Sequence, residues 1–279
     1  MAAAESGGSR RSACRSVASR PVLFIHGSLA NGRMWARYLN AFAPGREVCA
    51  VDLIGYGATG GWPEGQPLRL ADEASAVCRA VAHADEPVDV VAHSYGGAVA
   101  LRLALDNPGR VASLTLVEPA CFNLLRHLGP AAAAARAEIE MVARLVRTAA
   151  VAGVPELGIA HFVDYWNGRG TWAQLSASRR QTLLAKASKV AQDFDAIFAE
   201  GIPLAGLRKV QIPTLIVLGT NSPAPATHPG RALARVLPRG SMITVQGAGH
   251  MLPVTHPEAL TAILAARLGT ARSEWRAAA

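Results

Sequence analysis

Ala92-His93-Ser94-Tyr95-Gly96-Gly97 stands between the apolar run Val88 to Ala92 and a helical stretch, Ala98 to Leu105. A serine flanked by small residues at a strand-to-helix junction fits a turn so sharp that large side chains would collide, and such a turn pushes the hydroxyl into the open. Ala92 occupies the first small position, where a glycine is usual, and alanine is the next smallest residue. The pattern predicts a nucleophilic Ser94; the plainer alternative is a serine that merely shapes the turn.

Outward from this turn, the chain repeats one design. Pro21 to His26 is a short continuous apolar run that stops at Gly27, as a strand buried on both faces would. Val48 to Leu53, Leu114 to Val117, Thr214 to Leu218 and Met242 to Val245 follow the same form, each ending near a turn residue. Helical stretches such as 70–84 and 96–106 lie between them, so strand and helix alternate and the central sheet should be mostly parallel with helices flanking it.

The alternation breaks between Cys121 and Gly206, where only helical patterns are found. Ile139, Val142, Leu145, Val146 and Ala149 recur at three- and four-residue intervals, which predicts one apolar helix face ending near Gly153 and Pro155. A further helix is predicted over 178–191, with Ser176 or Ser178 as its N-cap. The expected organisation is a core of 21–120 and 207–268, an all-helical cap of 121–206 over the carboxyl ends of the strands, and tails at 1–20 and 269–279.

With these motifs placed, the chain resembles the α/β-hydrolase fold family over roughly residues 21 to 268. Three further matches stand in order: His26-Gly27-Ser28, Asp52-Leu53-Ile54-Gly55-Tyr56-Gly57 and Gly247-Ala248-Gly249-His250. The resemblance implies a serine hydrolase. His250 would be the general base, which removes the Ser94 proton as attack proceeds; a helix-capping histidine is the alternative. It also implies an oxyanion hole of two backbone N–H groups, from Tyr95 and from Ser28, with Leu29 the nearest rival for the second. Members of the family usually carry a β-hairpin before the first of these strands, and only twenty residues precede Pro21, so that hairpin is expected to be shortened or missing.

The acid departs from the common pattern. Many members place an Asp three residues beyond the glycine that ends the run Thr214 to Leu218, and here that position is Ser222. No Asp or Glu occurs from Gly201 to Pro257. Glu118, at the end of Leu114 to Val117, is therefore the candidate, in the order Ser94, Glu118, His250. The alternatives are that Glu118 caps the next segment or pairs with an arginine, that Asn221 orients the imidazole through its amide oxygen, or that no acid is present. Asp52 is expected to brace its loop, as is His26.

Phe162, Tyr165, Trp166 and Trp172 fall within eleven positions although aromatics form only 5% of the chain, and they either line an apolar pocket or hold the cap's own core. With Leu29, His93 and Asn123, the first three make up the set expected around the substrate. His93 is aimed away from the serine by the turn and is read mainly as packing.

Composition bounds the rest. At 279 residues, 51% hydrophobic and 17% charged, the chain suits one large domain with an insertion, and no apolar run reaches the roughly 18 to 20 residues of a membrane span. The formal charge of +8 is concentrated at the ends, with +3 in residues 1–20 and +2 in residues 267–279, and no basic motif suggests nucleic acid. The first twenty residues fit either a frayed tail or a transit peptide, and a cytoplasmic location follows by default. Cys14, Cys49, Cys78 and Cys121 match no zinc or CxxC spacing and are read as reduced, buried thiols. The expected function is hydrolysis of an ester, thioester or related acyl bond of a small apolar substrate, with no metal or organic cofactor. A lyase or carbon–carbon hydrolase on the same fold, or a non-catalytic binding module, are the competing readings.

Overall fold

The computed structural model describes residues 20–269. Apart from Arg20 and Gly269, the two tails lie outside the described residues, as do Cys14 and the transit-peptide alternative. Six strands form the sheet: β1 (Val22–Ile25), β2 (Val48–Val51), β3 (Val88–His93), β4 (Val111–Val117), β5 (Thr214–Gly219) and β6 (Gly240–Val245). Every pairing is parallel, in the order β2-β1-β3-β4-β5-β6.

That order carries the main consequence for function. The chain leaves β1 for β2 in one direction, then returns to lay β3 to β6 on the other side of β1. Open parallel sheets form a crevice beyond the carboxyl ends of the strands flanking such a reversal. Here those strands are β1 and β3, so Gly27-Ser28 and Ser94 emerge side by side. A Cβ placed on Gly27 would sit 2.9 Å from Ser94 Cβ, which shows how close the two turns run.

Alternate residues of a strand face opposite sides of the sheet. Leu23 and Ile25 pack on one side with Ala98 and Val99 of α3 (Tyr95–Asp106), while Val22 and Phe24 pack on the other with Trp35, Tyr38 and Leu260. The flanking helices of the core are α1 (Ala36–Phe42), α2 (Leu70–Ala80) and α3, and, after the insertion, α10 (Ala224–Val236), α11 (Leu252–Thr255) and α12 (Pro257–Leu268). The expectation of strands buried on both faces fails at the two edges. β2 is only half-buried, and β6 leaves Met242 and Ile243 about 40% exposed.

Between β4 and β5 the chain is helical throughout: a 3-10 turn at Phe122–His127, then α4 (Ala133–Val151), α5 (Pro155–Asn167), α6 (Thr171–Gln174), α7 (Ala177–Leu184), α8 (Ala187–Ala199) and α9 (Leu204–Leu207). On α4, Ile139, Val142, Val146 and Ala149 are buried as their spacing predicts, but Leu145 is 37% exposed and lies at the edge of the stripe. Ser176 caps α7, its hydroxyl accepting the Arg179 N–H. The single helix predicted over 178–191 is instead two, broken at Ala185–Lys186. Both residues are good helix formers, so tertiary anchoring overrides propensity here: Lys186 Nζ donates to Gly55 O of the core at 2.8 Å.

Candidate active site

Ser94 sits between β3 and α3 with φ 53° and ψ −121°, in the left-handed region that a residue with a side chain seldom adopts. Its amide donates to Val117 O at 3.0 Å, and its carbonyl accepts from Gly97 and Ala120 at 2.8 and 3.0 Å. The turn survives only because Gly96 has no side chain: a Cβ there would stand 2.3 Å from His26 O. Among the described residues, three non-glycine residues have positive φ, namely Leu29, Ser94 and Glu118. They stand at the ends of β1, β3 and β4, and such strain, of about 1–3 kcal/mol each, collects where surrounding structure holds a functional geometry.

His250 follows β6 through a turn in which Gly247 takes φ 76°. It is almost wholly buried, and its Nε2 lies 3.0 Å from Ser94 Oγ. On the far side of the ring, Nδ1 faces Glu118 Oε2 at 3.4 Å, at the long end of hydrogen bonding. Distances of this kind commonly tighten when the imidazole gains charge. Glu118 Oε1 accepts the Gly219 N–H at 2.5 Å and the Ser222 hydroxyl at 2.7 Å. No arginine pairs with Glu118 among the described residues. The position where an Asp was missed, Ser222, thus serves the glutamate that stands in its place.

His93 is buried, and its Nε2–H donates to His250 O at 2.9 Å, so it buttresses His250 through the main chain while bordering the cavity. Burial lowers its pKa to about 3, which keeps it neutral. His26 is likewise held below its ordinary range by burial; its Nδ1–H donates to Gly27 O at 2.7 Å and Nε2 accepts the Leu53 N–H at 3.0 Å. Asp52 accepts from the amides of Gly32 and Ala58 at 2.7 and 2.9 Å. Asn221 donates its side-chain N–H to Gly247 O at 3.0 Å and does not bond the imidazole.

A cavity of about 570 Å³ opens in front of Ser94 and His250, bordered by Leu29, Phe162, Trp166 and Leu183. The Trp166 ring stands against the His250 ring with centroids 4.0 Å apart, so the helical insertion borders the site. Of the four clustered aromatics, Phe162 and Trp166 border the cavity; Tyr165 and Trp172 do not. Tyr165 instead donates its hydroxyl to Glu138 at 2.8 Å, and Trp172 Nε1 donates to Glu156. Asn123 lines cavities other than the one that holds Ser94.

Sequence reasoning missed a buried polar group behind the Ser28 turn, made by Glu73, Lys189, Asp193 and Tyr56. The available clue was Lys189 and Asp193 at i,i+4 on an otherwise apolar helix face. Among the described residues no group of three or more His, Cys, Asp or Glu is arranged to hold a metal ion. Cys49, Cys78 and Cys121 are unpaired by disulfide; only Cys121 is fully buried, and burial pushes its thiol up to about 12. No helix of the described residues is long and apolar enough to cross a membrane.

Comparison with known proteins agrees with this architecture. The profile described as the alpha/beta hydrolase family matches residues 22–263. The chain is 28% identical over 249 residues to a pimeloyl-[acyl-carrier protein] methyl ester esterase of Neisseria meningitidis, covering 88% of this chain and 92% of that protein. It is 41% identical to lipase LipV of Mycobacterium tuberculosis over 100 residues, which spans 36% of this chain and only 37% of the lipase. Among solved structures, a hydrolase from Pseudomonas aeruginosa superposes with TM-score 0.68 at 23% identity, over 90% of this chain and 91% of that one. An esterase from Exiguobacterium antarcticum gives TM-score 0.70 at 17% identity, over 91% and 93%. At these identities the structural likeness speaks for the fold alone.

Proposed function

The chain belongs to the alpha/beta hydrolase family, and from that premise we propose that it is a serine esterase acting on a small, largely apolar acyl ester or thioester through Ser94, His250 and Glu118. The observation that carries this reading is the alignment of Ser94 Oγ, His250 Nε2 and Nδ1, and Glu118 Oε2 at 3.0 and 3.4 Å. Ser94 Oγ attacks the acyl carbon while its proton passes to His250 Nε2. Glu118 holds the Nδ1–H tautomer and stabilises the imidazolium. The carbonyl oxygen, now negative, is received by the N–H of Tyr95 and of Ser28. Tyr95 opens α3, so its N–H has no partner one turn earlier in the helix, and the helix dipole favours an anion there.

Collapse of this intermediate expels the leaving group, which takes the proton from His250, and leaves an acyl group on Ser94. A water, deprotonated in turn by His250, releases the acid. The cap of α4 to α8 supplies Phe162 and Trp166 to the substrate cavity. The names of the relatives agree at the level of bond type, since one is a methyl ester esterase and another a lipase. The test is a series of p-nitrophenyl esters of increasing acyl length. Turnover that rises and then falls with chain length, and is lost in Ser94→Ala, supports the reading; turnover that survives Ser94→Ala refutes it.

A further inference from the structure

Behind the Ser28 turn lie three buried charged side chains that this reaction does not use: Glu73 of α2, and Lys189 and Asp193 of α8. Lys189 Nζ stands 2.7 Å from Glu73 Oε1 and 2.5 Å from Asp193 Oδ1, and lies over the rings of Tyr56 and Tyr95 at 5.2 and 5.0 Å. The other oxygen of Asp193, Oδ2, accepts the hydroxyls of Ser28 and Tyr56, both at 2.6 Å. Tyr95 OH points to Glu73 Oε1 at 3.3 Å, and Glu73 Oε2 accepts the Ile54 N–H at 3.0 Å. One helix of the cap therefore hydrogen-bonds the Ser28 side chain through Asp193 and lays the Lys189 ammonium over the Tyr95 ring, so it touches both residues whose amides would form the oxyanion hole. A second, small cavity of about 10 Å³, roughly the room for one water, adjoins Ser94 and is bordered by Ser28, Tyr95 and Asp193.

A carboxylate in that place is a problem for catalysis unless it is neutralised, because it repels the negative charge that develops on the substrate oxygen. Stability alone does not explain it, since buried ion pairs are often matched or bettered by apolar residues. Position does. We propose that Asp193 is a positioning residue for the oxyanion turn, fixing it through Ser28 Oγ and Tyr56, and that Lys189 cancels the charge Asp193 would otherwise place beside the oxyanion. Burial pulls the Lys189 ammonium down, but Asp193 and Glu73 outweigh it and hold the group protonated. Burial raises Glu73, and the Lys189 ammonium opposes that rise. The inference rests on the esterase reading for its effect on rate, though not for its effect on the turn.

The test compares the full chain with Asp193→Ala, Asp193→Asn, Lys189→Met and the double variant Lys189→Met/Asp193→Asn. Two readouts are taken: kcat and KM on p-nitrophenyl butyrate, and amide hydrogen exchange over residues 26–33. Asp193→Ala should lower kcat about 30- to 100-fold with KM within about threefold, and should speed exchange in that segment. Asp193→Asn keeps an acceptor and should recover about tenfold of the loss. Lys189→Met strands a charge, so adding Asp193→Asn should make the double variant faster than Lys189→Met, with kcat taken per folded molecule so that relief of the stranded charge on stability alone does not move it. Should Asp193→Ala fail to fold, the other three variants decide the point by the same comparison. A double variant no faster than Lys189→Met, or unchanged kcat and exchange in Asp193→Ala, overturns the proposal. A parent protein that turns over no ester contradicts the esterase reading instead, and the exchange rates then still support or overturn the hold on the turn.

Discussion

The strand ends of the core and the helical insertion above them build the site by different means. At the ends of β1, β3 and β4 the backbone itself is bent into positive φ at Leu29, Ser94 and Glu118, so each neighbouring side chain or amide is delivered by a short, rigid turn. Among the described residues, the insertion holds no non-glycine residue at positive φ. It reaches the site with long side chains from regular helices, Phe162 and Trp166 from α5 and Lys189 and Asp193 from α8. The residues aligned for chemistry are thus placed by backbone geometry, whereas the walls and supports are placed by packing. Replacements at the strand ends should therefore act on kcat and those in the walls on KM, with Asp193 and its partner Lys189 the cap residues expected to act on rate.

The sharpest break of this comparison is Ser94→Ala, which should reduce kcat on an aryl ester by about 10⁴-fold or more while leaving the melting temperature unchanged or raised, since it removes the proposed nucleophile without removing packing. Glu118→Gln should lower kcat about 100-fold, because the amide still accepts from Ser222 and Gly219 but no longer stabilises the imidazolium. Full activity in this variant would remove Glu118 from the mechanism. In a Glu118→Ala background, Ser222→Asp should restore about tenfold of the lost rate, as it returns a carboxylate within reach of the same space.

A pH titration of stability sharpens the picture on the core side. Folded His93 titrates at about 3 rather than 6.5, so below pH 6.5 the unfolded chain binds a proton that the folded chain refuses. The stability contributed is complete above 6.5 and is lost as pH falls toward 3, by up to about 1.4 kcal/mol per pH unit. His26, shifted in the same direction, adds to the slope. Urea unfolding at pH 7 and pH 5 should show this decline, and His93→Gln should make it shallower; an equal slope in both proteins would contradict a neutral, buried His93. In the cavity wall, Phe162→Ala should raise KM for a medium-chain ester about fivefold with kcat within twofold. Smallest of all, Asn221→Ala should leave kcat/KM within about twofold, because its side chain bonds Gly247 and not the imidazole.

What could be read from the residues alone follows the same division. Ser94 and His250 were legible because the small residues around them are demanded by local backbone geometry, and Glu118 because no acid follows between Gly201 and Pro257. The parallel sheet was legible from its continuous apolar runs, but the exposure of β6 was not, because a run of apolar letters does not record whether a strand has one neighbour or two. The break at Ala185–Lys186, the pairing of Lys189 with Glu73 and that of Asp193 with Ser28 and Tyr56, each more than a hundred positions away, depend on tertiary contacts that periodicity does not encode. For the same reason Asn123 and Tyr165 could be placed on the right segment yet not on the right face. The partner of Glu118 at Ser222 was visible as a departure from a pattern, though its role as a hydrogen-bond donor was not.

The most direct measurement is labelling of the intact protein with a fluorophosphonate, followed by peptide mass spectrometry. The account predicts one adduct per chain, carried on Ser94, absent in Ser94→Ala and formed far more slowly in His250→Ala. An unlabelled protein, or an adduct on any other serine with Ser94 left free, would contradict it.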